Sequence, residues 1–532
     1  MAERKADEIF KEFKEHSIAE FFKKNRQMLG YSGKVRSLVT IVHEYVTNSL
    51  DACEEAGILP SIKVSIKAEE SEEKYRIIIE DNGPGIPKAY VGKALATILA
   101  GTKFNRYVQQ RGQQGIGAAG CTLYAQITTG KPIHVASWTG TGDGFECDIS
   151  IDTVKNRPVT NNVMDFKSQG RGLRIEGVFG DLKYENSEHG ALEYLKRTAL
   201  SNPHAEIIFV GPDNTESIFP RSTDIMPTRP APTKPHPLGL SVNDLLEFAH
   251  LSKNTSISEF LLETFSRVSQ NKVNEIRDAA NDVDFKKQPK EMSWIDAEKI
   301  IKALKDIKWI SPESTNIRPI GEEQIRKAMQ NIFMPEFMHV IERKPRIFRG
   351  GIPFVVESAV SYGGGSGKKT DEGYSGTIMR FANRVPLLFD SGTCAISYAI
   401  KGMDWKRYNL DIEKDPVSIF VNVSSPHIPY SGVGKESIAQ EDDIIDEIKL
   451  AVMEASRGVQ RYVSGKMNLE HEANRYEIIM RYAKQLSRDL SSLTGKDQER
   501  IEGEIESLVE SKFPKLKKKP EENSTQLEGL EK

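Results

Sequence analysis

The sequence predicts a multidomain α/β protein: an α/β sandwich first, then a small all-helical domain, then a second α/β domain ending in a long helix. Three observations carry this expectation. A helical stripe is followed by an alternating hairpin and a run of glycines; a proline-rich stretch opens a purely helical region; strand-like runs then return ahead of a long helical pattern. A chain of 532 residues holds roughly three domains with real cores.

The first helix is expected from Val35 to Leu50, where Val35, Leu38, Val39, Val42, Val46 and Leu50 recur at helical spacing. Glu44, Asn48 and Asp51 share its other face. A carboxylate there can orient or deprotonate a water, and an amide oxygen one turn on can ligate a hard cation such as Mg²⁺. Asp51 can position a neighbour. A hairpin follows: Ile62, Val64, Ile66 and Ala68 alternate with polar residues, and Tyr75 to Glu80 runs into Asp81. At a strand end, the Asp81 carboxylate can accept from an exocyclic amine such as that of adenine. Gly83 and Gly85 allow a tight turn and the close approach of a flat base. In the run RGQQGIGAAG, the backbone from Gly112 through Gln113, Gln114, Gly115, Ile116, Gly117 and Ala118 exposes successive N–H groups. A helix from Ala118 to Tyr124 would offer its positive end to phosphate. No Gly-Lys-Ser/Thr follows, so this is not a P-loop, and no clear strand leads straight in, so it is a poor Rossmann turn. Thr102 and Lys103 upstream supply a hydroxyl and a cation to the same phosphates, and the segment between Leu99 and Gly112 suits a lid.

The stretch from Thr228 to Pro237 reads as a linker. Helices are expected at Val242–His250, Ser256–Gln270, Asn271–Asn281 and Ser293–Lys305, with Lys253, Arg267, Lys272 and Arg277 able to touch phosphate. From Trp309 the pattern turns to α/β: strands at Ile352–Ser358, Thr377–Ala382 and Val417–Ser424, a polar loop at Gly363–Gly373, and a helix from near Ser437 towards Leu490. The final charged stretch from Lys515 is expected to be disordered.

Glu-x-x-x-Asn, then Asp-x-Gly-x-Gly, then Gly-x-x-Gly-x-Gly together resemble the Bergerat pocket of the GHKL ATPases: gyrase B subunits, ninety-kilodalton heat-shock chaperones, histidine kinases and MutL proteins. The resemblance implies ATP with Mg²⁺, Glu44 as general base, Asn48 as metal ligand and Asp81 as the adenine contact. Where the superfamily usually brings a threonine to the base, Gly170-Arg-Gly-Leu173 has leucine, which leaves Asp81 as the main polar reader. Longer stretches, Lys103-Phe104 with Arg111 to Gly117, Arg380-Phe-Ala-Asn-Arg-Val-Pro386 and Asp404-Trp-Lys-Arg-Tyr408, resemble the B subunits of DNA topoisomerase VI, the type IIB enzymes. That likeness implies four regions: a GHKL ATPase domain with an N-terminal strap (residues 1–228), a helix–two-turn–helix domain (229–308), a transducer built on a right-handed βαβ layer (309–470), and a C-terminal helix extension with its tail (471–532). It also implies that the strap, Met1 to Lys24, crosses to a second copy of the chain on ATP-driven dimerisation. Lys406, steadied by Trp405, would contact the γ-phosphate from the transducer. The partners it implies are double-stranded DNA and the topoisomerase VI A subunit, which carries the cleaving tyrosine, in an A2B2 heterotetramer. A MutL-like or chaperone-like clamp without strand passage shares the pocket. A histidine kinase fits poorly: no separate phospho-acceptor helix stands out.

Apolar residues make up 38% and charged residues 28%, and the apolar runs are too short and too interrupted for a membrane span or signal peptide. Cys53, Cys121, Cys147 and Cys394 are scattered without Cys-x-x-Cys pairing. They read as reduced, buried thiols in a cytoplasmic protein without structural zinc, and no contact with a membrane is expected. A net charge of −3 gives no global attraction to DNA, so any contact must use local basic patches, in keeping with a subunit that shares the duplex with a partner.

Overall fold

The computed structural model describes residues 20–21, 24–26, 30–98, 108–112, 115–312, 314, 316–432 and 434–512. Most of the strap, Thr102, Lys103, Gln113, Gln114 and the tail beyond residue 512 lie outside the described residues.

The first layer is an eight-stranded mixed sheet in the order β5-β4-β3-β6-β2-β1-β7-β8. Its strands are β1 (Ser61–Ala68), β2 (Tyr75–Asp81), β3 (Ile133–Thr139), β4 (Gly142–Asp152), β5 (Arg157–Ser168), β6 (Arg171–Phe179), β7 (Glu206–Val210) and β8 (Glu216–Phe219). Among the described residues of this sheet, only β1 and β7 pair in parallel. Four helices accompany it: α1 (Lys34–Ala56), α2 (Lys88–Ala96), α3 (Gly117–Thr129) and α4 (Ala191–Ser201). Ile62, Val64, Ile77, Ile79, Val135, Ile149 and Ile207 share one core with Leu38, Val42, Val46 and Leu50 of α1. The alternate strand positions are polar and pair among themselves: Arg174 reaches Glu176 at 2.9 Å, and His134 lies 2.9 Å from Asp148. That alternation leaves one apolar face to cover, so the helices lie on one side. α1 and α3 run longer than expected, each ending on a glycine in the left-handed region, Gly57 and Gly130.

The helical domain comprises α5 (Val242–Leu251), α6 (Ile257–Thr264), α7 (Gln270–Ala279) and α8 (Trp294–Asp306). Each starts at a serine whose hydroxyl accepts a backbone N–H three residues on: Ser241, Ser256, Ser269 and Ser293. The helix expected to reach Gln270 stops at Thr264. Arg267 takes a left-handed φ of 60° and Ser269 caps the next helix. Leu245, Phe260, Phe265, Ile276, Ile300 and Leu304 form a separate core.

After α9 (Glu322–Phe333), a second sheet runs β10-β11-β16-β14-β15, with β9 also pairing β11, along Glu357–Tyr362. These strands are β9 (Phe337–Glu342), β10 (Arg346–Phe348), β11 (Ile352–Tyr362), β14 (Thr377–Ala382), β15 (Val385–Pro386) and β16 (Val417–Ser424). The parallel pair β14/β16 is joined through α10 (Ala395–Lys401), a βαβ connection. The expected polar loop instead contains a two-stranded ribbon, β12 (Lys368–Thr370) with β13 (Gly373–Ser375). The long helix α11 spans Asp442–Thr494, 53 residues, or about 80 Å at the α-helical rise. It starts later than expected because Ile438 bridges back to Tyr430 and holds the approach extended. Ile444, Ile448, Val452 and Val459 bury its first half in the second core. Beyond that it carries exposed Tyr482, Leu486 and Leu493, and α12 (Gln498–Lys512) packs back along it.

Candidate nucleotide site

A cavity of about 580 Å³ opens between α1, the end of β2, the start of α3 and a loop of the second layer. At one end stands Asp81, 6% exposed. Its Oδ2 accepts from Ser49 Oγ at 2.6 Å and its Oδ1 from the Gly83 N–H at 2.9 Å. Burial pushes this carboxyl up from its ordinary value, and Ser49 and the Gly83 and Leu173 backbone donors work against that rise. The turn beyond is locked by Asn82, which accepts from Ser61 N and donates to Leu59 O. Gly85 has a φ of +70°, and a Cβ there would strike the Trp138 carbonyl, so this approach needs glycine. Gly85 is on the cavity wall. Gly83 is not: it sits behind Asp81 and acts through its N–H.

At the other end α3 starts at Gly117, and its N-cap residue Ile116 brings no side-chain cap, so a positive helix terminus faces the cavity. Gly112, Gly115, Ile116, Gly117 and Ala118 all line it. Glu44 and Asn48 of α1 lie on the same wall. The Glu44 carboxylate presses so closely on Gly117 that any Cβ there would overlap it. His43 beside it is held below its ordinary pKa by burial, with Glu44 opposing and Lys435 adding to the depression.

Behind the glycine run lies Arg111, which is 8% exposed and which sequence reasoning used only as part of a motif. Its guanidinium donates to Asp51 at 2.7 Å, to Glu54 at 2.6 and 3.0 Å and to Asn202 at 2.5 Å. Burial works against the Arg111 charge, but Glu54 and Asp51 outweigh it and hold the group above its usual range. Glu54, also bound by His204 at 2.8 Å, is held well below the usual carboxylate range: Arg111 and His204 overcome a burial effect of opposite sign.

Lys406 is not among the residues that the fold brings to this cavity. The short 3₁₀ turn Trp405–Tyr408 is pinned away from the cavity by Trp405 Nε1 on Ile400 O at 3.0 Å and by Gln460 of α11 on Arg407 O at 2.8 Å. Lys406 is exposed beside α11 and is not on the cavity wall. The cation that the second layer brings to the wall is Lys435, at a φ of +54°, flanked by Gly434 and Glu436. A lysine set among glycines in Ser431-Gly-Val-Gly-Lys435 was the sequence signal that could have found it.

A mixed sheet covered on one face, with a cavity between a Glu/Asn helix and a glycine-fronted helix, defines an ATPase domain of the GHKL class. Residues 33–155 match the family model for histidine kinase-, DNA gyrase B- and HSP90-like ATPases. Residues 312–475 match the model described as topoisomerase VI B subunit, transducer. The chain is 42% identical over 561 residues to the type 2 DNA topoisomerase 6 B subunit of Pyrococcus horikoshii, covering 96% of this chain and 97% of that one. It is 40% identical to the corresponding protein of Thermococcus sibiricus (97% and 98% covered) and 42% identical to that of Methanothermobacter thermautotrophicus (93% and 95% covered). The chain belongs to the family of type 2 DNA topoisomerase 6 B subunits.

Proposed function

We propose that this chain binds and hydrolyses ATP as the B subunit of a type IIB DNA topoisomerase. The observation that carries this reading is that Lys435 and Glu436 of the second layer line the same cavity as Glu44 and Asn48 of the first. A ligand that fills the cavity therefore touches both layers. The cavity suits ATP in its chemistry: a buried acceptor at one end, the N-terminus of a helix at the other, and a glycine where a Cβ would intrude. Bound ATP supplies a phosphoanhydride, and Mg²⁺ supplies charge neutralisation at its phosphates.

Asp81, fixed by Ser49 and Gly83, accepts from the adenine amine. Asn48 offers an oxygen to Mg²⁺, an ion that characteristically takes its remaining ligands from phosphates and water. The amides from Gly112 to Ala118, with Thr102 and Lys103, receive the phosphates. Glu44 orients and deprotonates the attacking water. Lys435 takes the part expected of Lys406: it meets the terminal phosphate and so reports its presence to the transducer. Two copies close when both cavities fill, capturing a DNA duplex. The A subunit, holding the cleaving tyrosine, makes the transient double-strand break for duplex passage within an A2B2 assembly in the cytoplasm. Co-purification with an A subunit, followed by ATP-dependent relaxation of supercoiled plasmid, tests the reading; an intact complex that relaxes nothing would overturn it.

A further inference from the structure

The three residues that lead into the glycine run are each held by a different part of the molecule. Gln109 is buried and makes a reciprocal pair with the Arg318 backbone: Oε1 accepts from Arg318 N at 2.7 Å, and Nε2 donates to Arg318 O at 2.9 Å. The Gln110 carbonyl accepts from Asn383 Nδ2 at 3.3 Å. Arg111 reaches α1 through Asp51 and Glu54, and reaches Asn202 at the end of α4. Asn202 is fully buried and passes the link on, its Nδ2 donating to Arg384 O at 3.2 Å; Ser201 Oγ donates to the same carbonyl at 2.7 Å. From there Arg384 N donates to Asn422 Oδ1 at 3.2 Å, and the Asn422 amide donates to the fully buried Glu357 at 2.7 Å.

The receiving end of this chain is itself constrained. Asn383 and Arg384 form the turn between β14 and β15 with φ of 49° and 67°, values that side-chain-bearing residues hold only where the surroundings impose them. A buried polar network of this kind is costly when half satisfied and specific when complete. A greasy contact would dock the two layers; this network also dictates where Arg111 stands. Arg111 and the adjoining Gly112 are both on the cavity wall.

We infer that Gln109 and Asn202 are positioning residues of the nucleotide site: Asn202 ties Arg111 to the Asn383–Arg384 turn, and Gln109 ties the root of the glycine run to the Arg318–Pro319 backbone that accepts from the Arg384 guanidinium, so that this root and the second sheet shift together. The inference rests on the nucleotide reading above. It adds a route behind the cavity that does not pass through Lys435.

The test uses the full chain and a non-hydrolysable ATP analogue. In the unmodified protein, amide exchange at Arg384 and Ser425 should slow when the analogue binds. Analogue binding with unchanged exchange there overturns the inference alone; failure of the analogue to bind overturns the nucleotide reading with it. Gln109→Ala and Asn202→Ala should each raise the KM for ATP about tenfold, the value of one charge-assisted or paired hydrogen bond, leave kcat nearly unchanged, and abolish the exchange response. Asn202→Asp keeps the acceptor for Arg111 and removes the donor to Arg384, so it should restore KM without restoring the response. A variant that merely melts earlier, with KM and response intact, shows a structural role and overturns the inference. If the variants do not fold, the exchange measurement on the unmodified chain decides.

Discussion

Asp390 accepts two hydrogen bonds from Arg36, at 2.9 and 3.2 Å, and so fastens the second layer to the first turn of the pocket helix. Phe389 beside it lies 5.1 Å beneath the Arg36 guanidinium, and its N–H donates to Glu436 Oε2 at 3.3 Å. The loop that presents Lys435 is therefore seated on the ATPase layer by contacts of the protein itself. Lys435→Ala should retain analogue binding while cutting hydrolysis about 10²-fold, as loss of one preorganised charge on the transferred group does. Lys406→Ala, on its turn beside α11, should leave DNA-free hydrolysis unchanged. Equal losses in a steady-state phosphate-release assay would refute this division of labour.

Glu44 and Gly117 make a coupled pair. Glu44→Ala should bind nucleotide and lose about 10²–10⁴ in turnover, the usual worth of a positioned base. Gly117→Ala should lose comparable activity by a different cause, because its Cβ has no room beside the Glu44 carboxylate. Since both act through one group, the double variant should be no slower than Glu44→Ala. Additive losses would mean that Gly117 serves the site independently of the base.

How far the chain could be read beforehand follows from the range of the interactions involved. The α1 stripe, the β1–β2 hairpin and the serine-capped helices are local patterns, set by spacing and by single residues such as Ser241 or Ser293. Asp81, Glu44 and Asn48 were legible because their motif is local too, and the fold brings them to one cavity. The buried joint was not: Arg111, Glu54, Asn202 and Arg384 come from four separated stretches and look like ordinary surface polar residues until the layers dock. Lys406 misled for the same reason. A lysine's neighbours in sequence do not say which wall it faces, whereas the Trp405 and Gln460 hydrogen bonds do.

Asp81 presents only acceptors, already aligned by Ser49 and Gly83. In Asp81→Asn the amide can keep its oxygen on Gly83 and turn its NH₂ towards Ser49 or the base. Against an adenine amine that puts donor on donor. ATP affinity should fall by about 1–3 kcal/mol, the cost of an unsatisfied buried group, with little change in melting temperature. Titration calorimetry reads both the fall and any gain for GTP, whose carbonyl at that position would accept from asparagine. Unchanged preference between the two nucleotides would remove Asp81 as the base reader.

Glu436 gives the pH prediction. Burial raises its carboxyl to about 7 from an ordinary 4.5; Arg36 and the Phe389 N–H oppose the rise, Asp390 adds to it, and Arg380 opposes. The folded chain therefore binds a proton that the unfolded chain has released between those two values. Stability linked to this group is then full below pH 4.5 and declines as pH climbs towards 7. Glu436→Gln carries no such proton. The difference in melting temperature, variant minus unmodified, should be near its minimum at pH 5, grow through pH 6 and 7, and level off by pH 8. Comparing the two proteins at each pH cancels the titration of groups they share, including the buried His43 and His204, whose depressed pKa values act in the opposite sense. A difference that stayed flat from pH 5 to 8 would show that Glu436 is ionised throughout and held by Arg36, and the loop carrying Lys435 would then be seated by charge.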